Sequence, residues 1–250
     1  MTFYLGTHLP NWLGFVPYPL CVSRARLWQR KTFPRAVAPW VLDSGAFSQL
    51  LSFGTWTVPP AQWAGEARRF SDEIGGMVWC SIQDWMCEET MLARTGLTVA
   101  AHQEKTVASY LTLRDLAPDL PWLPVLQGWE RDDYLRHRER YLAAGVDLSR
   151  GPVGVGSICR RQGTGAAETI LRALAGLQLH AFGLKKGGLV QAGEVLASAD
   201  SLAWSFDARR SAPLPGHGTR HKNCANCPDW ALRWRAEVVG LPMQKAFSFA

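Results

Sequence analysis

The sequence predicts an α/β protein built as a TIM-like (β/α)8 barrel, with a small zinc-binding segment at the C-terminal end. The prediction allows for one incomplete or irregular strand in the barrel. Short apolar segments alternate with amphipathic ones, which is typical of parallel strands covered by helices. About seven such strands follow one another in a single run, which favours a closed barrel. An open doubly wound sheet is the alternative. Against it, Gly154-Val155-Gly156 lacks the third glycine of a dinucleotide-binding loop.

The first half of the chain predicts four strands, two helices and one irregular segment. Residues 14–36 mix prolines with basic residues, so we expect an irregular basic insertion with at most one short helix, around residues 22–29. In residues 59–74 apolar side chains recur at helical spacing, and Gly75-Gly76 ends the helix. The strands are predicted at residues 3–5, 37–42, 77–82 and 122–126, and the second helix at residues 98–116.

The second half predicts three more strands, at residues 152–155, 179–182 and 201–204. Asp132 and Asp133 are good N-caps for a helix that Gly145 ends, and Thr164 caps a helix that Gly176 ends. Residues 188–197 and the segment after Pro228 are predicted to be helical. We therefore expect a barrel domain over residues 1–210, and a zinc-binding segment with a helix packed on the barrel over residues 211–250.

Composition indicates a cytoplasmic, globular nucleic-acid-binding protein. Hydrophobic residues make up 47% and charged residues 19% of the 250 residues, as in ordinary soluble domains. We expect no membrane partner, because no apolar run approaches the roughly 18 residues of a membrane helix and the N-terminus does not resemble a signal peptide. The net charge is +6, and clustered basic residues suit a polyanion, although a solvated basic surface is the alternative. The candidate nucleic-acid-binding pairs are Arg160 and Arg161, Lys185 and Lys186, and Arg209 and Arg210.

Polar residues stand where several predicted strands end. Asp43-Ser44-Gly45-Ala46-Phe47 joins a carboxylate, a flexible turn and an aromatic ring that can stack on a base. A strand followed by an ordinary Asx-type turn is the other interpretation. Asp84 ends the next strand, and Gln127, whose amide can contact the edge of a base, ends the one after it. Because the carboxyl ends of barrel strands meet at one rim, these residues predict a common site.

A possible metal site lies near the C-terminal end. Cys224 and Cys227 have the spacing of zinc ligands, and His217 and His221 stand just before them. Two thiolates and two imidazoles complete a tetrahedral shell, which leaves no open position for activating water. We expect a structural Zn²⁺, with another side chain as the alternative to either histidine.

In order along the chain, several motifs resemble those of the tRNA-guanine transglycosylase superfamily, and most closely its phage-type, DpdA-like branch. The resemblance runs from about residue 37 to residue 235, and the order of the motifs is its most specific feature. The motifs are Asp43-Ser44-Gly45-Ala46-Phe47, the strand end at Asp84, Val125-Leu126-Gln127-Gly128, Val153-Gly154-Val155-Gly156, His180-Ala181-Phe182-Gly183, Ala199-Asp200-Ser201 and Cys224-Ala225-Asn226-Cys227.

The resemblance implies a role for each matching residue. Asp200 matches the nucleophile that attacks the sugar C1′, and Asp43 matches the general acid and base. Asp84 and Gln127 match the residues that recognise the base, with backbone N–H groups of Gly154, Val155 and Gly156 meeting its carbonyl oxygen. Phe47 and Phe182 match the two sides of a stacking slot. Ser44 and Gly183 belong to the same motifs and are assigned to the substrate site with them.

The implied activity is exchange of guanine in DNA for a free 7-deazaguanine, namely 7-cyano-7-deazaguanine, through a covalent aspartyl-sugar intermediate. The same chemistry on tRNA is one alternative, and a non-catalytic nucleic-acid-binding protein on the same fold is another. Asp207 is a rival nucleophile, although its surroundings indicate a helix start. The histidines of the metal site do not follow from the resemblance, since they are inferred from spacing alone.

Overall fold

The computed structural model of the chain describes residues 1–159, 161, 165–218 and 221–241. Within them, parallel strands form one sheet whose order is β5-β4-β3-β2-β1-β9-β8-β7-β6. The strands are β1 Thr2–Thr7, β2 Leu20–Ser23, β3 Trp40–Asp43, β4 Met77–Ser81, β5 Trp122–Leu123, β6 Val125–Leu126, β7 Pro152–Val155, β8 Gln178–Ala181 and β9 Leu196–Ser201.

The sheet curls into a nearly closed barrel because its two outermost strands are consecutive in the chain. Strand β5 pairs with β4, and β6 pairs with β7. Only Pro124 separates β5 from β6, and a proline interrupts a strand since it has no N–H to donate. The carbonyl of Pro124 still accepts from the N–H of Gly154 at 2.8 Å. The predicted barrel with one irregular strand is therefore confirmed.

Helices cover most of the outside of the barrel. After β1 and after β2 the described chain instead forms short 3-10 turns, Pro10–Gly14 and Arg24–Arg26. Helix α9 lies against β1, where the ring of Trp234 is 6.0 Å from that of Phe3. None of the described helices has the length and apolar character needed to cross a membrane. The helices are α1 Ala46–Phe53, α2 Pro60–Ile74, α3 Glu89–Thr95, α4 Val99–Leu116, α5 Arg131–Ala143, α6 Ala166–Ala173, α7 Lys186–Ala192, α8 Ala203–Arg210 and α9 Pro228–Val239.

Two apolar layers form because side chains alternate across each strand. A large outer cluster joins strands to helices, and a small cluster of Tyr4, Cys21, Val41, Trp79 and Leu123 fills the inside of the barrel. The alternation that turns Val41 inward also turns Asp43 inward, and the register pairs Tyr4 with Asp200. The interior packing therefore aims two carboxylates into the mouth of the barrel.

Two sequence-based element predictions are wrong, and the bounds of a third are shifted. The basic insertion at residues 14–36 contains strand β2, which is hidden by the surrounding prolines and arginines. Residues 201–204 are not the last strand: β9 covers Leu196–Ser201, and helix α8 begins at Ala203. The helix predicted at residues 188–197 is correspondingly α7, Lys186–Ala192. An apolar run cannot fix where a strand begins when a helix directly adjoins it.

Smaller details also differ. Helices α1 and α3 were not predicted. The N-cap of α5 is Glu130, which forms a capping box with Asp133 at the third helical position. The proposed cap Thr164 lies outside the described residues.

Candidate active site

A cavity of about 430 Å³ opens at the carboxyl ends of the barrel strands. Its walls come from nearly every strand end, so it is the place where residues far apart in sequence meet. The lining residues are Gly6, Thr7, Cys21, Ser23, Asp43, Ala46, Phe47, Asp84, Met86, Gln127, Gly156, Ser157, Cys159, Phe182, Gly183, Asp200 and Leu202. Eight of the sequence-predicted site residues are among them: Asp43, Phe47, Asp84, Gln127, Gly156, Phe182, Gly183 and Asp200.

Asp43 ends β3, and its carboxyl group faces the cavity beside the turn into α1. Gly45 has φ of +81°, which a residue with a side chain rarely adopts. This turn lets the N–H of Gly45 donate to Oδ2 of Asp43 at 3.2 Å. Burial raises the pKa of Asp43 to about 6, the hydrogen bond from Ser23 opposes that rise, and the charge of Asp200 adds to it. Near neutral pH the group can therefore both give up and accept a proton.

Asp200, in β9, has one oxygen held by neighbouring groups, while the other makes no hydrogen bond with the described residues. Oδ1 accepts from the N–H of Gly183 at 3.1 Å, and Nε2 of His180 lies 3.3 Å from the same oxygen. The side chain of Asp200 is 13% exposed, at the cavity wall. Such a carboxylate is fixed in orientation and still reachable by a ligand.

Asp84 and Gln127 form one buried pair. Nε2 of Gln127 donates to Oδ2 of Asp84 at 2.5 Å, while Oε1 of Gln127 accepts from the hydroxyl of Ser157 at 2.7 Å. The hydroxyl of Ser44 lies 3.4 Å from Oδ1 of Asp84 and completes the set as a weak donor. Because Nε2 donates and Oε1 accepts, this network determines which end of the Gln127 amide is the nitrogen and which is the oxygen. The pair offers an acceptor and an N–H donor side by side.

The pKa of Asp84 is raised to about 7. Burial is the main cause and the nearby charge of Asp43 adds to it, whereas the hydrogen bonds from Gln127 and Ser44 oppose it. A ligand that donates hydrogen bonds to Asp84 stabilises the charged form and binds best when the group is ionised. Two carboxylates with raised pKa values in one cavity are typical of a functional site.

The aromatic residues line the cavity in different ways. Phe47 stands in the first turn of α1 and is 39% exposed at the cavity mouth. Phe182 packs its ring edge-on against His180, with centroids 4.7 Å apart, and against Trp79 at 6.0 Å. Phe182 thus continues the apolar filling of the barrel up to the cavity, while Phe47 offers an accessible flat face.

Gly154 in β7 and Gly156 directly after it leave space that a side chain would fill. A Cβ on Gly156 would lie 2.2 Å from Nε2 of Gln127, and one on Gly154 would lie 2.6 Å from the ring of Phe182. The N–H of Gly156 donates to the carbonyl of Leu126, and that of Gly154 donates to the carbonyl of Pro124. The expectation that these N–H groups meet the carbonyl oxygen of the base is therefore wrong, because both are already engaged within the sheet. Gly154 and Val155 are buried in the strand and do not line the cavity.

Several residues that line the cavity were not predicted from the sequence. Cys21 and Ser23 belong to the unpredicted strand β2, and Met86 follows a strand end without any motif. His180 was part of a recognised motif but received no role. Ser157 has φ of +56°, the only left-handed residue other than glycine in the described chain. Its N-terminal neighbour Gly156 marked the turn, but nothing in the sequence marked the strain.

The rival carboxylate Asp207 lies elsewhere. It is on α8, where its Oδ2 accepts from Nε1 of Trp234 at 3.0 Å, and it lines a separate groove beside α9. Asp207 therefore anchors α9 to α8 and does not face the cavity that contains Asp43.

The four candidate metal ligands come together. The ligand atoms of His217, His221, Cys224 and Cys227 all lie within 4.8 Å of one another. Sγ of Cys224 is 3.2 Å from Nε2 of His221, and Sγ of Cys227 is 3.5 Å from Nδ1 of His217. In a tetrahedral zinc shell with ordinary bond lengths, neighbouring ligand atoms lie roughly 3.3 to 3.8 Å apart. The residues present fit such an ion, and this His2Cys2 group can bind a metal such as zinc.

The basic pairs are partly engaged with protein groups. The guanidinium of Arg161 lies 4.5 Å from the centroid of the Trp129 ring, and its Nη2 is 3.2 Å from Glu130. Lys186 pairs with Glu237, and Arg210 covers the ring of Phe206. Lys185 is the N-cap of α7 and Arg209 lies in the last turn of α8. Arg160 lies outside the described residues.

The model of one protein family, DpdA (DeoxyPurine in DNA protein A), matches residues 1–247. The chain belongs to the DpdA family. Members of this family are transglycosylases of the pentosyltransferase type that act on guanine in DNA in deazapurine modification, so the protein is an enzyme with a DNA partner. No curated protein matches the chain in sequence. The DpdA assignment confirms the resemblance and favours DNA over tRNA as the substrate.

Proposed function

We propose that the enzyme exchanges guanine in DNA for 7-cyano-7-deazaguanine through an ester between Asp200 and the sugar C1′. The observation that carries this proposal is that Asp43, Asp84, Gln127 and Asp200 line a single cavity. These groups supply what the exchange requires, namely a nucleophile, a proton donor and a pair that recognises the base.

In the first half of the reaction, Oδ2 of Asp200 attacks C1′ while Oδ1 stays bound to Gly183. The C1′–N9 bond breaks, its electron pair leaves with guanine, and Asp43 supplies a proton to the departing base. The positive charge that develops on the sugar is stabilised by the carboxylate, as in retaining glycosidases. The raised pKa of Asp43 keeps part of the population protonated near pH 6 to 7, as an acid catalyst requires.

The second half reverses these steps with a different base. Asp43, now ionised, takes the N9 proton of the incoming 7-deazaguanine, whose N9 attacks C1′. The C–O bond of the ester breaks and Asp200 recovers its carboxylate. One cavity can serve both halves because guanine and a 7-deazaguanine share the same hydrogen-bonding edge.

Base recognition rests on Asp84 and Gln127. An ionised Asp84 accepts from the ring N–H and the exocyclic amine, and Gln127 has a second amide hydrogen beyond the one given to Asp84, which suits the base's carbonyl oxygen. Phe47 and Phe182 supply apolar ring surface on the cavity walls. To reach this cavity the nucleotide must leave the helix.

The metal site is proposed to hold a structural Zn²⁺. All four positions of a tetrahedral shell are filled by protein, so the ion supplies rigidity and no open coordination position. Nε2 of His217 lies 3.5 Å from Asp229, which orients the imidazole from its other side. In the turn between Cys224 and Cys227, the carbonyl of Ala225 accepts a hydrogen bond from the hydroxyl of Ser205 on α8. The ion thereby holds the described part of the C-terminal segment, which includes Cys224, Cys227 and α9, against the barrel.

The activity is tested with DNA that contains radiolabelled guanine. Incubation with the protein and free 7-cyano-7-deazaguanine should release labelled guanine, and Asp200→Asn should release none. Replacing Asp207 by Asn is the matched control, since Asp207 is a carboxylate of the same region outside the cavity. Absence of release by the unmodified protein at every metal and salt concentration contradicts the proposal.

A further inference from the structure

A second cavity of about 300 Å³ lies beside the first and differs from it in chemistry. We call it the arginine cleft. Its lining contains two guanidinium groups, an imidazole and two carboxamides, and no acidic residue. The lining residues are His8, Leu9, Pro10, Asn11, Ala25, Arg26, Gln29 and Arg30.

The arginine cleft lies at the same rim of the barrel as the base cavity. Thr7 and Ser23, the last residues of β1 and β2, line the base cavity. The two segments of the cleft, residues 8–11 and 25–30, begin one and two residues later. Two residues of chain span at most about 7 Å, so a single bound strand can contact both cavities.

Among the described residues, no acidic side chain pairs with the two guanidinium groups of the cleft. Arg26 is exposed and makes no ion pair among the described residues. Arg30 donates from Nη2 to Oδ1 of Asn11, which turns its guanidinium toward the cleft. Nε of Arg30 is buried and has no hydrogen-bond partner in the described part of the chain. A buried donor without a partner carries a free-energy cost, and a bound phosphate removes that cost once the side chain turns to bring Nε to the cleft surface.

We propose that the arginine cleft binds a backbone phosphate of the DNA strand whose guanine enters the base cavity. This inference rests on the proposed function. A phosphate fits because guanidinium groups bind its oxygens in a fork geometry and the carboxamides supply further donors. A base fits less well, since the cleft lining contains no aromatic ring except that of His8. Holding the phosphate next to an extruded nucleotide fixes the register of the strand without reading its sequence.

The wall of the cleft is connected to the metal-binding group. Nε2 of His8 lies 2.5 Å from Oδ1 of Asn226, which stands between Cys224 and Cys227. The ring of His8 also lies parallel to that of Trp204, with centroids 6.0 Å apart. The metal turn and α8 therefore hold the β1 end of the cleft in place.

The test measures DNA affinity by fluorescence anisotropy as a function of salt concentration. Each phosphate contact contributes about 0.9 to the slope of log affinity against log salt for duplex DNA. Arg26→Gln should reduce the magnitude of this negative slope by about one. The double variant, Arg26→Gln with Arg30→Gln, should reduce the magnitude at least as much. Arg114→Gln is the matched control, because Arg114 is an exposed arginine near the C-terminal end of α4, at the opposite end of the barrel. The salt slope of Arg114→Gln should equal that of the unmodified protein.

Neutral methylphosphonate groups, placed one at a time along the DNA, locate the contact. At one position, a methylphosphonate should weaken DNA binding by the unmodified protein and leave DNA binding by Arg26→Gln unchanged. Unchanged salt slopes in both variants, or the absence of any such position, overturn the inference. Arg26 is exposed, so Arg26→Gln should fold normally. If the double variant does not fold, the result for Arg26→Gln alone decides the test. Guanine release is measured separately, so a protein that exchanges bases with unchanged slopes contradicts the cleft alone.

Discussion

Nε2 of His180 lies 3.3 Å from Oδ1 of Asp200, and Nδ1 of the same ring lies 2.9 Å from the hydroxyl of Ser198. His180 is fully buried and packs edge-on against Trp79, with centroids 4.6 Å apart. When the hydroxyl of Ser198 donates to Nδ1, the ring proton sits on Nε2 and points at Asp200. This arrangement restrains one oxygen of Asp200 and leaves the other without a hydrogen bond to the described residues, as the proposed nucleophile requires.

We predict that His180→Phe slows guanine exchange by about 10- to 100-fold, because a hydrogen bond to a charged group contributes about 1.5 to 3 kcal/mol. The loss should fall on kcat and leave the KM for DNA unchanged. His180→Gln should recover part of the rate, since its amide can donate to the same oxygen. Equal loss in both variants would show that His180 serves only packing.

Binding of the free base should depend on pH through Asp84. Its pKa of about 7 means that the accepting carboxylate dominates above that pH and is lost as pH falls. The Kd for 7-cyano-7-deazaguanine, measured by calorimetry from pH 5.5 to 8.5, should rise about tenfold per unit below pH 7 and level off above it. Asp84→Asn should bind weakly and without this dependence. A flat profile in the unmodified protein contradicts the assigned role of Asp84.

Gly156→Ala should abolish recognition of the base and preserve the fold. Its Cβ would lie 2.2 Å from Nε2 of Gln127, so the amide must leave Asp84. Exchange activity should fall by more than tenfold. The matched control is Gly151→Ala, where a Cβ meets nothing within 4 Å and φ is −169°, and activity there should be unchanged. Similar activity in the two variants would exclude the Gln127 contact as a requirement.

Metal removal should loosen the C-terminal segment before it affects the base cavity. A structural metal contributes its binding free energy to folding. Chelation, or Cys224→Ser, should increase amide hydrogen exchange after residue 211 and lower the melting temperature, while strands β3 to β8 stay protected. Asp229→Asn should weaken the metal affinity by about 10- to 100-fold through His217. Identical melting with and without chelator contradicts a structural role.

The barrel and most of its strand ends were predictable because buried parallel strands produce apolar runs that the sequence displays directly. Strand β2 was not, since only Leu20–Ser23 is strand and the neighbouring prolines and arginines dominate the local pattern. The end of β9 was misplaced because Asp200 interrupts the run from inside the strand. A carboxylate at such a position breaks the apolar pattern that would reveal the strand.

Contacts between distant residues set the remaining limit. Motif order identified Asp43, Asp84, Gln127 and Asp200, but the hydrogen bond between Asp84 and Gln127 depends on strand register. The engaged N–H groups of Gly154 and Gly156 depend on the pairing of β6 with β7 in the same way. The arginine cleft was hidden because its two segments meet only when β1 and β2 pair.

The most direct test of the mechanism is to identify the residue that becomes attached to DNA. The enzyme is mixed with DNA, quenched in acid before an incoming base is added, digested and analysed by mass spectrometry. We predict a sugar ester on the peptide that contains Asp200, absent in Asp200→Asn and retained in Asp207→Asn. An adduct on any other residue, or base exchange that proceeds normally in Asp200→Asn, would contradict the account.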